Sequence, residues 1–360
     1  MSRPLNILIA GGGTGGHIFP AVAVANALRR LQPACNILFV GAQGKMEMEK
    51  VPQAGYNIKG LDIAGFNRAH WWKNLTLPWK LIKSFWQVHS ILSAFKPDAV
   101  FGVGGYSSYP VLKTAQAKGI PTFLHESNAF AGKANKMLGQ QAVKVFVAVE
   151  GMERFFPAEK LLLTGNPVRS EIQHISTDTA SARRFFGLAP DKVTLLVIGG
   201  SLGARSINEA VHAGLPQLLD AGVQVLWQTG KAWQHKAADS HVSQHTFIAE
   251  MDKAYAAADM VISRAGAMSV AELCMAGKPA IFVPFPFAAE DHQTANAMAL
   301  VNKQAAMLIK DADAAVQLVP AVLALANDAE KRQQMAANIA AQALRHADEV
   351  IAETILKSIV

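Results

Sequence analysis

Cysteine is nearly absent from this chain. Its two, Cys35 and Cys274, lie far apart and share no ligand spacing, which argues against a zinc cluster or a disulfide framework and leaves both as buried spectators. Long apolar runs are absent too. No run of uncharged, apolar residues reaches the roughly 18 that a bilayer span needs. The start, MSRPLNILIAGGG, has no secretory apolar region with a small-residue cleavage site, so the expectation is a cytoplasmic protein. Acidic residues are in the minority, 27 against 34 Lys and Arg, for a net charge of +7. Such an excess suits phosphorylated ligands or anionic lipid. It comes without zinc-finger spacing, an RNP-type aromatic strand or a heptad-linked basic region, which sets nucleic acid aside. No isolated Asp-x-Asp loop suggests a divalent ion, and Asp252 and Asp259 read as solvated or capping residues. Neither metal nor cofactor is expected.

What the chain has is alternation. Short apolar runs, Leu5–Ala10, Asn36–Val40, Ala99–Val103, Thr122–Leu124 and Val143–Val147, are separated by helical patterns. A second series runs through Val193–Ile198, Val223–Trp227, Thr246–Ile248, Met260–Ser263 and Ala280–Val283. Strand and helix in alternation predict α/β architecture with parallel sheets. At 360 residues two domains are expected. GGGTGGH at 11–17 and GGSLGAR at 199–205 each follow a strand and open a helix, so the pattern is two Rossmann-like doubly wound domains in tandem. Gly165-Asn166-Pro167 marks the joint, giving domains 1–164 and 165–340, with a last helix near Ala347–Ile359 packing back on a neighbour.

A strand–glycine–helix junction aims backbone N–H groups and a helix N-terminus at one point, a site for a phosphate. Gly11, Gly13 and Gly16 match G-x-G-x-x-G, a weak signal alone. A nicotinamide oxidoreductase wants a carboxylate at the end of the second strand, and Val40-Gly41-Ala42-Gln43 offers none. A third loop, Gly102-Val103-Gly104-Gly105-Tyr106-Ser107-Ser108, repeats the arrangement, and two such loops in one domain suit a pyrophosphate; either could also be a tight turn only. Ser263–Glu272, SRAGAMSVAE, opens a helix whose first turn could grip phosphate. Glu272 there could take two ribose hydroxyls or simply favour the helix dipole. His17, at a helix start, is a candidate base because imidazole titrates near neutrality; it could equally hydrogen-bond a phosphate or its own loop. His125 and Glu126 end another strand and could share the role.

Residues 66–96 hold Trp71, Trp72, Trp79 and Trp86, four of the six tryptophans. Arg68, Lys73, Lys80, Lys83 and Lys96 are interleaved, with no acidic residue. Indole rings and lysines together suit an anionic lipid surface. From Leu77 to Phe95 the pattern is an amphipathic helix with Leu81, Ile82, Phe85, Val88 and Leu92 on one face. The loop with the Trp71–Trp72 pair is the better lipid contact.

These motifs, with HESNA at 125–129, TGNPVR at 164–169 and PFPFAAEDHQTANA at 284–297, fall in an order that resembles the MurG family over almost the whole chain. That family has the GT-B glycosyltransferase fold, two Rossmann-like domains facing a central cleft. The resemblance implies an inverting transfer of N-acetylglucosamine from UDP-N-acetylglucosamine to the 4-hydroxyl of undecaprenyl-pyrophosphoryl-muramoyl-pentapeptide, in peptidoglycan precursor synthesis, by a peripheral enzyme on the cytoplasmic face of the inner membrane. Ser201 and Arg169 would meet the nucleotide-phosphate region, Ile248 the uracil through its backbone, and Glu272 the ribose. Ala267, Met268, Ser269, Val270 and Ala271 would form the pyrophosphate end of their helix. Gln293 and Asn128 would bind sugar hydroxyls, and Thr14, Gly15 and Gly16 would border the donor. Gly13, Gly104, Gly105 and Tyr106 would hold the acceptor pyrophosphate, with His17 as base and Glu126 as a lesser candidate. Ser127, Leu202, Tyr109 and His292 depart from the commonest family pattern. A glycerolipid GT-B transferase, an oxidoreductase and a non-catalytic membrane scaffold are the alternatives, separable by substrate trials and by His17→Ala.

Overall fold

A computed structural model of the chain describes residues 3–64, 77–200 and 202–359. The chain divides into two compact units, residues 1–169 with 345–360, and residues 170–344.

Among the described residues, the first unit holds one parallel sheet in the order β3-β2-β1-β4-β5-β6-β7. Its strands are β1 (Asn6–Ala10), β2 (Asn36–Ala42), β3 (Asn57–Leu61), β4 (Ala99–Gly102), β5 (Thr122–Glu126), β6 (Lys144–Val147) and β7 (Leu161–Leu163). The connecting helices are α1 (Gly15–Leu31), α2 (Glu47–Gln53), α3 (Leu77–Phe95), α4 (Ser108–Ala117) and α5 (Lys133–Gly139). The order reverses at β1/β4, so the two loops that leave these strands open side by side at the switch point. Period-two alternation splits the sheet into two cores. Ile7, Ile9, Phe39, Phe101 and Phe123 face one side with Val24 and Leu28 of α1. Leu8, Ala10, Val40, Val100 and Leu124 face the other with Val88 and Leu92 of α3 and Leu112 of α4.

The second unit repeats the plan as β10-β9-β8-β11-β12-β13, again parallel. Its strands are β8 (Thr194–Ile198), β9 (Gln224–Gln228), β10 (Val242–His245), β11 (Met260–Ser263), β12 (Ala280–Phe282) and β13 (Ala306–Leu308). Helices α6 (Ser170–Gln173), α7 (Thr179–Phe185), α8 (Arg205–Asp220), α9 (Met251–Ala257), α10 (Ala267–Ala276), α11 (His292–Val301), α12 (Ala314–Asn327) and α13 (Ala329–Ala340) accompany them. The last helix, α14 (Ala347–Ile359), returns to the first unit. Ile351, Ala352 and Ile355 enter the same core as Ala21, Val24 and Ala25 of α1. Burying the two isoleucines contributes about 2 kcal/mol each.

Four expectations need correction. The division falls after Arg169 rather than at Thr164. His125 Nε2 donates to Gly165 O at 3.2 Å and Asn166 Nδ2 to Ser127 O at 3.1 Å, which ties the 164–169 segment to the first unit. The strand expected at Thr246–Ile248 is instead Val242–His245, a polar run that pairs with β9 along one edge only. On α3 the buried stripe is Ser84, Val88 and Leu92, at i, i+4, i+8. Leu81 and Ile82 are exposed, so they do not share that face. Asp259, read as solvated or capping, is partly buried and held by specific partners. It accepts Thr194 N–H at 2.7 Å and pairs with the buried Arg183 at 2.7 Å, fixing the start of β8.

Candidate active site

In the first unit the loops after β1 and β4 interlock. Gly105 has φ +87 and a Cβ there would meet Gly12 O at 2.3 Å, so only glycine lets the two backbones touch. Ser108, the first residue of α4, clips them together by donating toward Ala10 O and Gly104 O, each at 2.8 Å. Tyr106 projects beside them and is exposed. Thr14, Gly15 and Gly16 form the start of α1, whose first turn carries no acidic residue and presents the positive end of the helix dipole.

His17 sits in that first turn. Its Nδ1 lies 3.1 Å from Gly12 O and 3.4 Å from Thr14 Oγ1. A carbonyl only accepts, so Nδ1 carries the proton and the neutral ring keeps its lone pair on Nε2. Nε2 lies over Gly104, where an added Cβ would come within 3.0 Å of it.

Gly13 differs from its expected role. Its N–H donates to Glu47 Oε2 at 2.8 Å, so that donor is already engaged. Glu47, 1% exposed, also accepts Ala42 N–H at 2.9 Å. A carboxylate does therefore stand by the end of β2, but it is buried and occupied by backbone donors, not offered to a ribose. No motif in the sequence signals it, because it arrives from α2.

His125 and Glu126 are both buried at the end of β5. Burial pulls the His125 imidazole down to about 4, so it is neutral at pH 7. Its Nε2–H donates to Gly165 O, and Nδ1 lies 3.3 Å from Ser127 Oγ. With both nitrogens engaged, His125 positions the β5 loop and has no free lone pair for catalysis. Glu126 accepts from Asn128 N–H and Nδ2 on one oxygen, and from Gly132 N–H and Asn135 Nδ2 on the other, at 2.8–3.2 Å. Four donors on one carboxylate make it the organiser of the 127–135 loop. Asn128 is held half-buried by that network. Arg169 lies with its guanidinium 5.4 Å from the ring centroid of Phe19 on α1.

In the second unit α10 starts at Gly266 in extended conformation, with no acidic residue in its first turn. Ala267, Met268, Ser269, Val270 and Ala271 build its opening. Glu272 follows, 8% exposed, and its Oε2 accepts from the buried Tyr255 hydroxyl at 3.0 Å. Arg264 braces the approach. Its guanidinium donates to Val283 O and Pro284 O at 3.0 Å, to Ser206 Oγ at 3.1 Å and to the Asp311 carboxylate. Ile248 is buried and its N–H donates to Gln228 Oε1 at 2.8 Å, while Gln228 Nε2 donates to Gly200 O at 3.0 Å. Gln228 thus couples the glycine loop after β8 to Ile248. Gln293 Oε1 accepts Phe285 N–H at 3.0 Å, which turns its NH2 into the donor end. Just before it Glu290 and Asp291 adopt φ of +54 and +51, a strained entry to α11 for residues with side chains. Ser201 and the Trp71–Trp72 pair lie outside the described residues. Tyr255, Gln228, Glu47 and the Arg264–Asp311 pair are site elements that no local motif announces.

Two parallel doubly wound units, each with a glycine loop after a central strand, make a nucleotide-binding class of α/β protein. The N-terminal domain of glycosyltransferase family 28 matches residues 7–147, and the C-terminal domain of that family matches residues 194–351. The chain belongs to glycosyltransferase family 28. It is 50% identical, over 98% of its length and 95% of the relative's, to the UDP-N-acetylglucosamine–N-acetylmuramyl-(pentapeptide) pyrophosphoryl-undecaprenol N-acetylglucosamine transferase of Bacteroides fragilis. The same-named protein of Cytophaga hutchinsonii is 49% identical over 99% of this chain and 98% of that one. The crystal structure of Acinetobacter baumannii MurG is similar with a TM-score of 0.79 and 30% identity, covering 98% of this chain and 100% of that one. The fold is GT-B.

Proposed function

We propose that this chain transfers N-acetylglucosamine from UDP-N-acetylglucosamine to the muramoyl sugar of undecaprenyl-pyrophosphoryl-MurNAc-pentapeptide, converting lipid I to lipid II. The observation that carries the reading is identity near one half, over nearly the full length, to transferases named for that activity. The geometry of each unit supports it.

The donor roles fall on the second unit. The start of α10, Ala267–Ala271, faces the UDP pyrophosphate, where aligned N–H groups stabilise the negative charge that grows on the leaving group. Glu272, steadied by Tyr255, accepts from the ribose hydroxyls. The Ile248 backbone takes the uracil, with Ser201 toward the phosphates. Gln293 donates to sugar hydroxyls. The acceptor roles fall on the first unit. Gly104, Gly105 and Tyr106 hold the acceptor pyrophosphate, and Gly13 contributes its lack of a side chain rather than its N–H. His17 Nε2 takes the proton of the attacking 4-hydroxyl. A single displacement at the anomeric carbon gives the inverted, β-linked sugar, and the electrons of the broken C–O bond leave with UDP.

Membrane attachment is peripheral in this reading. No helix among the described residues is long and apolar enough to cross a bilayer. Trp79, Ile82 and Trp86 stand exposed on α3 beside Lys80 and Lys83, a pattern suited to the headgroup layer of the cytoplasmic face of the inner membrane and to its anionic lipids.

The test is transfer of labelled N-acetylglucosamine to a short-chain polyprenyl-pyrophosphoryl muramoyl-peptide. Turnover by the wild type, near-complete loss in His17→Ala with UDP affinity intact, and weakened UDP binding in Glu272→Ala are expected. No transfer by a folded, UDP-binding protein would overturn the proposed reaction.

A further inference from the structure

One peptide group joins a buried carboxylate to the proposed base. Gly13 N–H donates to Glu47 Oε2 at 2.8 Å, and His17 Nδ1–H donates to Gly12 O at 3.1 Å. Gly12 O and Gly13 N belong to the same peptide unit. The sequence of contacts is therefore carboxylate, peptide N–H, peptide carbonyl, imidazole N–H. We propose that Glu47 is a positioning residue that acts through the Gly12–Gly13 peptide to fix the His17 tautomer and raise the basicity of its Nε2. The inference deepens the reading of His17 as the proton acceptor and rests on it.

A hydrogen bond to an anion polarises the group that donates it, and bonds in a chain strengthen one another. The Glu47 charge draws density toward the Gly12 oxygen, which then holds the Nδ1 proton more firmly and favours an imidazolium once Nε2 is protonated. A carboxylate touching an imidazole directly does the same at shorter range.

The surroundings are shaped for this contact. A Cβ on Gly12 would lie 2.3 Å from the Glu47 carboxyl, and one on Gly41 would lie 2.4 Å from its Cγ. Glycine at both positions lets the side chain run flush beneath the loop. Glu47 Oε1 is tied to Ala42 N–H at the end of β2, so the carboxylate is fixed at both oxygens. A purely structural bridge could be built with a neutral amide or hydroxyl. A buried carboxylate held by two backbone N–H groups, one of them in the peptide whose carbonyl His17 bonds, is suited to transmitting charge.

Several other groups bear on His17. His125, on β5, is electrostatically coupled to it but stays neutral. Arg169 lies over Phe19, two residues along α1. The start of α1 adds positive potential, and the loop after β4 presents Gly104 and Tyr106. Arg169, the helix end and any protonation of His125 all oppose an imidazolium, while Glu47 favours one.

In the reaction the acceptor O–H proton passes to the Nε2 lone pair, the oxygen pair forms the bond to the anomeric carbon, and the bond to the UDP oxygen breaks with its electrons. A more basic Nε2 speeds the first of these.

The experiment is nitrogen-15 NMR of histidine-labelled protein, wild type and Glu47→Gln, with the pH profile of kcat/KM for the acceptor in parallel. In the wild type, neutral His17 should carry its proton on Nδ1. In Glu47→Gln its titration midpoint should fall by a few tenths of a unit to about one unit. The acidic limb of the rate profile should move to lower pH with it. The plateau should drop about three- to tenfold with the KM for UDP-N-acetylglucosamine within twofold of wild type. Glu47→Asp keeps the charge and should restore the midpoint in part. A structural role alone would lower the plateau and the thermal midpoint and leave the limb where it was; that result overturns the proposal. A proton on Nε2 in the neutral wild type overturns it without any variant. Expected NMR behaviour together with no transfer by the wild type would sink the transferase reading and leave the Glu47–His17 link standing.

Discussion

Tyr255 and Glu272 meet across the second unit, the hydroxyl from α9 donating 3.0 Å to a carboxylate oxygen from α10. Tyr255 is fully buried and Glu272 nearly so. The bond turns one carboxylate oxygen inward and sets the orientation in which the other can meet vicinal hydroxyls. A hydrogen bond to a charged acceptor contributes about 1.5–3 kcal/mol. Tyr255→Phe should weaken UDP binding about three- to tenfold by calorimetry, with kcat little changed. Glu272→Ala should weaken it further. Equal affinity of Tyr255→Phe and wild type for UDP would show that the tyrosine does not orient the carboxylate.

Arg264 joins three pieces of chain: the segment after β12 through Val283 and Pro284, α8 through Ser206, and the turn at Asp311. The Arg264 and Asp311 side chains are largely buried, at 12% and 22% exposure. Removing one member of such a pair leaves a charge without its partner and costs about 3–5 kcal/mol. Asp311→Asn should therefore lower the urea midpoint of the second unit, and UDP should recover part of the loss by binding the folded form. Arg264→Lys should not rescue fully, because an ammonium has no second nitrogen to reach Ser206 Oγ while the first holds the two carbonyls and the carboxylate. An Asp311→Asn midpoint equal to wild type would remove the pair from the account of stability.

The parts that were legible in the sequence are those written in local chemistry. Ile7, Leu8 and Ile9 announce a buried parallel strand, and the glycines after them announce a phosphate-type turn. The fold class followed from repeating that unit twice. Helix α3 was read at its observed limits, yet its buried face was not, because Leu81 and Ile82 are as apolar as Val88 and only packing decides which side meets the sheet. β10 was misplaced because an edge strand with the sequence VSQH carries no apolar run. Asp259 looked solvated because its partner Arg183 lies 76 residues away. Glu47, Gln228 and Tyr255 share that property. Each reaches its site from a neighbouring element, so its meaning depends on tertiary contact that no spacing rule records.

His125 gives the first unit a defined pH response. Burial holds its folded-state value at about 4, below the ordinary value near 6.5. Between these limits the unfolded chain binds the extra proton, so stability rises with pH. The contribution is complete above about pH 6.5 and is lost as the pH falls toward 4. From pH 7 to pH 5 the loss should be on the order of 2 kcal/mol. Urea midpoints of wild type and His125→Gln, each at both pH values, test this. The variant should be weaker at pH 7, having lost the bond to Gly165, and should change less between the two. Parallel losses in both proteins would assign the acid sensitivity to other groups.

Trp79 and Trp86 are 76% and 75% exposed on α3, which leaves two indole rings in water for no gain to the fold. Ile82, also exposed, adds to the same patch. Lys83 binds Asp62 at 2.9 Å and Lys80 approaches it at 3.9 Å, so part of the local positive charge is already answered within the protein. Apolar insertion, more than charge, should then carry lipid attachment through this helix. The double variant Trp79→Ala, Trp86→Ala should lose about tenfold in binding to vesicles of mixed anionic and zwitterionic lipid. Its unfolding free energy from urea titration should stay within about 0.5 kcal/mol of wild type, as expected for exposed positions. Lys83→Gln should have a smaller effect on binding, and raising salt should weaken wild type and double variant by the same factor. Vesicle binding unchanged in the tryptophan variant would move the attachment site off α3. A salt effect larger than the tryptophan effect would instead make anionic lipid, not the indole patch, the main attraction.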